Sequence, residues 1–514
     1  MHAANRLLPT SLAFASLLAV MPAQALDLGL TGGSLPGNVV ITASGANFPF
    51  ETILIVPSAT AGPTPCSIFD PLDPRSLDVG LDLVGSMWAG FADLNLQYQV
   101  SFTVPAQPAL QDLGLYFQAV TLQWQPTLLD RISNGNVVRL GNANSFRDRG
   151  VQFGLERAFA SVLPRPDHKW LLVGGARGQL LAQNATATNE IYDPIADAFS
   201  PGPSLNAPRS MHAATELPNG TWLITGGVNA TNDPQATCEI YDPVADTFTP
   251  VATMLTARMG HTATLLANGK VLVTGGLQAM TVTPTQLSAI RDATNATELY
   301  DPANNTWTAG PNLLTPRAGH VAMKRPDGKV LLAGGISWDN VIIIGWLPAV
   351  RRSCDLYDPV ANTVVAGPQM ATARSLIDPI DIGGGRFLVA GGIAAISLTS
   401  PGTPTATAEI YNANTNTWTT VGSMAAARGN HKGWSIGNGQ YLLTGGAAGT
   451  ILSPTALSST EIFSTATNTF TPGPAMTSPR AGAATFLTPQ GQMQVFGGGS
   501  TGGVIARTTE WYFF

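Results

Sequence analysis

Residues 257–276 read ARMGHTATLLANGKVLVTGG. An Arg, a His three residues later, an Asn-Gly turn and a closing double glycine are shared by catalytic sites, phosphate-binding loops and plain scaffold. How often the pattern occurs decides among them. The double glycine recurs at Gly174-Gly175, Gly226-Gly227, Gly275-Gly276, Gly334-Gly335, Gly391-Gly392, Gly445-Gly446 and Gly497-Gly498, at spacings of 52, 49, 59, 57, 54 and 52 residues. An apolar run precedes each pair, as in KVLVTGG, KVLLAGG and RFLVAGG. Such short runs closed by glycine read as buried strands.

Three further markers keep register with the glycines. An Arg stands 17 residues before the first glycine of every pair: Arg157, Arg209, Arg258, Arg317, Arg374, Arg428 and Arg480. An acid follows every pair: Glu190, Glu239, Glu298, Asp355, Glu409, Glu461 and Glu510. An aromatic stands two residues after each acid, and in five units a second follows seven residues later (Phe199, Phe248, Trp307, Trp418, Phe470). Each unit therefore reads as four short strands. This resembles the kelch repeat, the blade of a kelch β-propeller, over roughly residues 142–514. Ala160, Ile377 and Ala483 stand where other units have His, and Val364 replaces one aromatic. The fold class expected is all-β, a seven-bladed kelch β-propeller preceded by a small β-sandwich domain.

The last unit stops after its third strand at TTEWYFF, while Asn144–Arg157 (NSFRDRGVQFGLER) resembles the fourth-strand segment Asn468–Arg480 (NTFTPGPAMTSPR). The segment 142–156 is thus expected to complete the seventh blade, with Phe146 in the aromatic slot, leaving no open edge.

Repetition also assigns the charges. A catalytic residue is needed once, whereas one Arg and one acid per unit account for 14 of 58 charged residues. A bidentate Arg–carboxylate pair tying strands together within each blade is the reading that follows. No glycine pair fits a phosphate loop. His212, His261, His320 and His431 share one register and read as packed residues of the inner strands, with no metal site expected. Cys238 and Cys354 occupy equivalent third-strand slots two units apart, too distant for a disulfide.

The chain is acidic overall, 26 basic against 32 acidic residues with only five lysines, which offers no basic stripe for nucleic acid. Residues 1–25 carry a basic start, the apolar run Leu12–Val20 and Ala23-Gln24-Ala25, the pattern of a secretory signal peptide cut after Ala25. Export to the cell envelope, periplasm or medium is therefore expected, with no membrane insertion and a monomeric state. Residues 26–141 alternate like strands (NVVITASG, ETILIVPSA, LGLYFQAVTLQW) and read as a β-sandwich. The GLYFQAV strand resembles that of a small module found beside repeat domains in exported bacterial proteins.

Function is expected to be binding of a protein or carbohydrate ligand, without catalysis and without a cofactor. The galactose oxidase propellers imply the alternative, a secreted oxidase or carbohydrate-active enzyme with a copper centre of Tyr and His ligands and a Cys-crosslinked Tyr. The candidate binding residues lie in the variable connections between double glycine and acid. They are Arg291 and Asp292 in the third unit, and Trp338, Asp339, Trp346, Arg351 and Arg352 in the fourth. Flat apolar anchors beside charged partners are the mixture found at binding hot spots.

Overall fold

A computed structural model describes residues 25–513 apart from 48, 70, 123–127, 180–181, 280–292, 342–344, 397–401, 451–452, 488–491 and 501–504. The chain forms two compact units that interleave along the sequence. One holds residues 25–29, 40–101 and 115–136, the other residues 30–39, 102–114 and 137–513. No α-helix occurs among the described residues.

The larger unit contains seven four-stranded antiparallel sheets among the described residues. The second is representative: Ala213–Glu216, Trp222–Thr225, Cys238–Asp242 and Thr247–Val251 pair in sequence order. Its second strand, WLIT, is apolar because both of its faces are covered by neighbours, so alternation gives way to a continuous run. The Asn-Gly turns between first and second strands of the second, third and sixth units, and the third-to-fourth strand turns that end in Asp or Asn, supply the left-handed residues that tight reversals need. Asp246, Asn305 and Asn416 all have positive φ there.

The apolar clusters lie between sheets, not within them. One fills the space between each sheet and its successor. Another, with Phe153, Leu172, Tyr192, Phe486, Phe496 and Trp511, joins the seventh to the first. The double glycines make the same links through the backbone. Both members have positive φ in every pair, and a Cβ on Gly275 would overlap the carbonyl oxygen of Arg317 in the next unit. The N–H of each second glycine donates to the carbonyl of the Arg that opens the following unit, at 2.8–3.0 Å, and the last, Gly498, donates to Arg157 of the first. The links run round without a break.

Closure uses the strand expected from sequence. Ser145–Gln152 pairs antiparallel with Thr508–Phe513, completing a sheet with Met493–Phe496 and Ala484–Leu487. Phe146 stands opposite Tyr512 with ring centroids 4.9 Å apart. That matches the third-to-fourth strand pairs Tyr241–Phe248 at 4.7 Å and Tyr300–Trp307 at 5.0 Å.

The Arg–acid pairs are present in every unit, with N···O separations of 2.5–3.2 Å. The expected bidentate fork is not how they are made. Arg209 gives Nη2 to Glu239, while its Nη1 donates to the carbonyls of Gly226 and Thr237. Glu239 in turn accepts the backbone N–H groups of Asn206 and Ala207. Buried carbonyls and amides at the unit boundary need partners, so the guanidinium divides its donors among them. Asp355, one methylene shorter, accepts from Leu314 and sits 3.2 Å from Arg317, the longest of the seven.

In the smaller unit, the core of Val56, Cys66, Leu77, Val79, Val120 and Leu129 packs on a sheet whose strands run Leu129–Ile132, Gly114–Leu122, Thr52–Ser58 and Trp88–Phe91. Asp73, the carboxylate of the FDPLDP turn, is bound by Arg75 at 2.8 Å, and Asp70 lies outside the described residues.

Candidate functional site

Residues two to four positions after the Arg, at the entry to the first strand of all seven units, line one cavity of about 390 Å³. First strands therefore surround the axis of the ring. A second cavity of about 540 Å³ continues along those strands and is walled by Trp222 and Trp434. Ala160, Ser161, Asp378 and Lys432 line both, which places them where the two cavities meet.

The histidine register belongs to the first cavity. His261, His320 and His431 are buried, and the Cε1 atoms of all four histidines lie against the first glycine of the preceding unit's pair. Burial, helped by the adjacent arginines, lowers the imidazole pKa to about 3 in His212, His261 and His431. His261 and His320 share hydrogen bonds of 2.9 Å with the hydroxyls of Thr225 and Thr274. These are neutral packing residues wedged between sheets.

Asp378 and Lys432 differ from everything around them. The position four residues after the Arg holds Ser161, Ala213, Thr262, Val321, Asp378, Lys432 and Ala484 in the successive units. Only two of these are charged, in adjacent sheets, and their side chains form an ion pair, 50% and 37% exposed. Sequence reasoning passed over them because they lie 54 residues apart. The available signal was the charge at an otherwise small or apolar slot of the repeat.

Of the two connections chosen from sequence as binding loops, the fourth unit's is a β-ribbon. The fourth unit's pairs Ile336–Val341 with Gly345–Val350, opposing Trp338 to Pro348 and Asn340 to Trp346. Similar ribbons leave the first, fifth and sixth sheets. The fourth unit's ribbon touches the fifth's, and the fifth's touches the sixth's. Trp338 is half-buried, while the side chains of Asp339 and Trp346 lie outside the described ones. Arg351 donates from Nε to the buried Ser337 hydroxyl at 2.6 Å, tying itself to the ribbon base. Arg352 is exposed. Arg291 and Asp292 lie outside the described residues, so of the set the structure describes only the side chains of Trp338, Arg351 and Arg352.

The family profile described as Kelch motif matches residues 208–255 and 382–425, the second and fifth units. The larger unit is a kelch β-propeller. Among curated proteins, an F-box/kelch-repeat protein SKIP4 of Arabidopsis thaliana is 29% identical over 130 residues, 25% of this chain and 31% of that one. The match thus spans about a third of the relative's length. Among solved structures, a fungal alcohol oxidase of the AA5 family in complex with copper is 17% identical with a TM-score of 0.55, over 70% of this chain and 74% of that one. A structure titled YjhT aligns with a TM-score of 0.44 at 14% identity, over 59% and 94%.

The copper centre implied by the oxidase resemblance does not fit the residues of this propeller. The third-strand tyrosines are committed elsewhere: the hydroxyls of Tyr192, Tyr241 and Tyr411 donate to Asp197, Asp246 and Asn416 at 2.6, 2.9 and 2.8 Å. Neither axial cavity is lined by a Tyr or a Cys. Burial raises the Cys238 and Cys354 thiols to about 12, and both are free. No group of three or more His, Cys, Asp or Glu among the described residues is arranged to hold a metal.

Proposed function

We propose that this chain is an exported interaction module that holds a protein or glycan ligand on the ribbon-bearing face of its propeller. Kelch repeats commonly serve protein interaction. One observation carries the placement: ribbons of the fourth, fifth and sixth sheets stand in contact at one end of a ring whose every unit is pinned by an Arg–acid pair. A variable surface on a rigid frame is where repeat proteins locate recognition. Trp338 and Trp346, with Asp339, Arg351 and Arg352, are the proposed contacts, joined by Arg291 and Asp292 of the third unit. No helix among the described residues is long and apolar enough to cross a membrane, and the leader-like first 25 residues support export.

The test is a screen of the purified chain on protein and glycan arrays, repeated with the double variant Trp338→Ala, Trp346→Ala. The reading predicts a ligand retained by the wild type and lost by the variant, with the melting temperature nearly unchanged. Lost stability with intact binding would make the ribbon core.

A further inference from the structure

The ion pair of Asp378 and Lys432 stands apart from the repeat, and the scaffold gives no account of it. Each sheet is already joined to its neighbours by the glycine–Arg backbone link and an apolar cluster, including the one between the fifth and sixth sheets. The pair occupies a slot that five other units fill with Ser, Ala, Thr or Val. It sits where the two axial cavities meet, half-exposed to them rather than buried as a clamp. Pro379 follows Asp378 and cannot donate a ladder hydrogen bond, and the fifth sheet's first strand shrinks to Ile380–Asp381. The carboxylate thus stands just ahead of a shortened inner strand.

We infer that the axial cavity is a binding site for a neutral saccharide of one or two rings. Its walls supply the complementary chemistry. Trp222 and Trp434 give aromatic surface to the C–H face of a pyranose, and the Trp434 indole is fixed by its N–H donating to the Thr485 hydroxyl at 2.7 Å. The Asp378 carboxylate accepts sugar hydroxyls, and the Lys432 ammonium, with three protons and one ion-pair partner, donates to a ring or hydroxyl oxygen. Ser161 and Ser435 add hydroxyls on the same lining. The two charges cancel, and Asp381 adds a negative one nearby. The site therefore disfavours phosphates and carboxylates. The volumes, about 390 and 540 Å³, fall in the range of small-ligand sites, and the larger cavity mixes aromatic and polar lining. The cavity opens at the end of the ring where the ribbons start, since Ala318 bridges Ile336 and Ser375 bridges Ile393 there, but none of the proposed ribbon contacts lines it, and the site stands whether or not the ribbons carry a partner.

The test is saturation-transfer NMR on the full chain with methyl glucoside, methyl galactoside, methyl mannoside, maltose, cellobiose and lactose, with gluconate and glucose 6-phosphate as anionic probes. At least one neutral sugar is expected to bind. Asp378→Asn and Lys432→Gln, each made singly, should weaken it about tenfold or more, the loss of a charged hydrogen bond, with the melting temperature unchanged. Trp338→Ala with Trp346→Ala should leave it intact, which separates this site from the ribbon reading. Binding by none of the neutral sugars, or stronger binding of the anions, would overturn the assignment. So would a fall in melting temperature with unchanged sugar affinity, which would make the pair a clamp between sheets.

Discussion

At the scale of single residues, repetition separates architecture from function. Arg317 is wholly buried, and burial lowers its pKa while the Asp355 carboxylate opposes the shift. Arg317→Met strips Asp355 of its buried partner and is expected to cost roughly 3–5 kcal/mol in urea unfolding. A midpoint equal to the wild type's would contradict the pairing. The histidines make a second prediction. Their folded pKa values of about 3 lie below the ordinary value near 6.5, so between those limits the unfolded chain binds more protons than the folded one. Stability is therefore fully present above about pH 6.5 and is lost as pH falls, by up to about 1.4 kcal/mol per pH unit for each such histidine. A urea midpoint that stays level from pH 7 to pH 5 would show that these imidazoles are not buried neutral. The Arg, acid and glycine roles were legible because each residue appears seven times. The Asp378–Lys432 pair was not, since each member looks ordinary until the units are aligned on their arginines.

At the scale of strands and ribbons, the aromatic pair between third and fourth strands is the repeated packing unit, and the fourth unit lacks it. Val364 faces Tyr357 across the ladder and is half-buried. Val364→Phe should restore the pair and raise stability by about 0.5–1.5 kcal/mol, read from the thermal midpoint. A lower midpoint would mean that the fourth unit has repacked around the smaller side chain. Phe146→Ala, which removes the same pair from the closing sheet, should cost about 3–5 kcal/mol. The strands carrying these aromatics could be read from sequence, because acid-x-aromatic and the later Trp or Phe keep strand periodicity. The ribbons could not. A connection such as ISWDNVIIIGWLPAV has no turn dipeptide, and its register, Trp338 opposite Pro348, is fixed by backbone pairing that begins at the unit boundary, where Ala318 bridges Ile336.

At the scale of the whole ring, the chain solves the exposed-edge problem of a β protein by returning to its start. The seventh sheet takes its outer strand from Ser145–Gln152 and its other three from the end of the chain. Gly498 then repeats, against Arg157, the link that every other unit makes with its successor. Ring closure was foreseeable because the missing fourth strand at one end matched a spare one at the other. Division into two units that interleave along the chain was not, because strand alternation does not say with which neighbours a strand will pack. The measurement that tests the account most directly is a crystal structure of the chain in which the sheets can be counted and traced. The account predicts seven four-stranded sheets, residues 145–152 hydrogen-bonded to 508–513, Phe146 against Tyr512, and the Gly498 N–H on the Arg157 carbonyl. A ring of six or eight sheets, or a C-terminal strand with its outer edge unpaired, would contradict it.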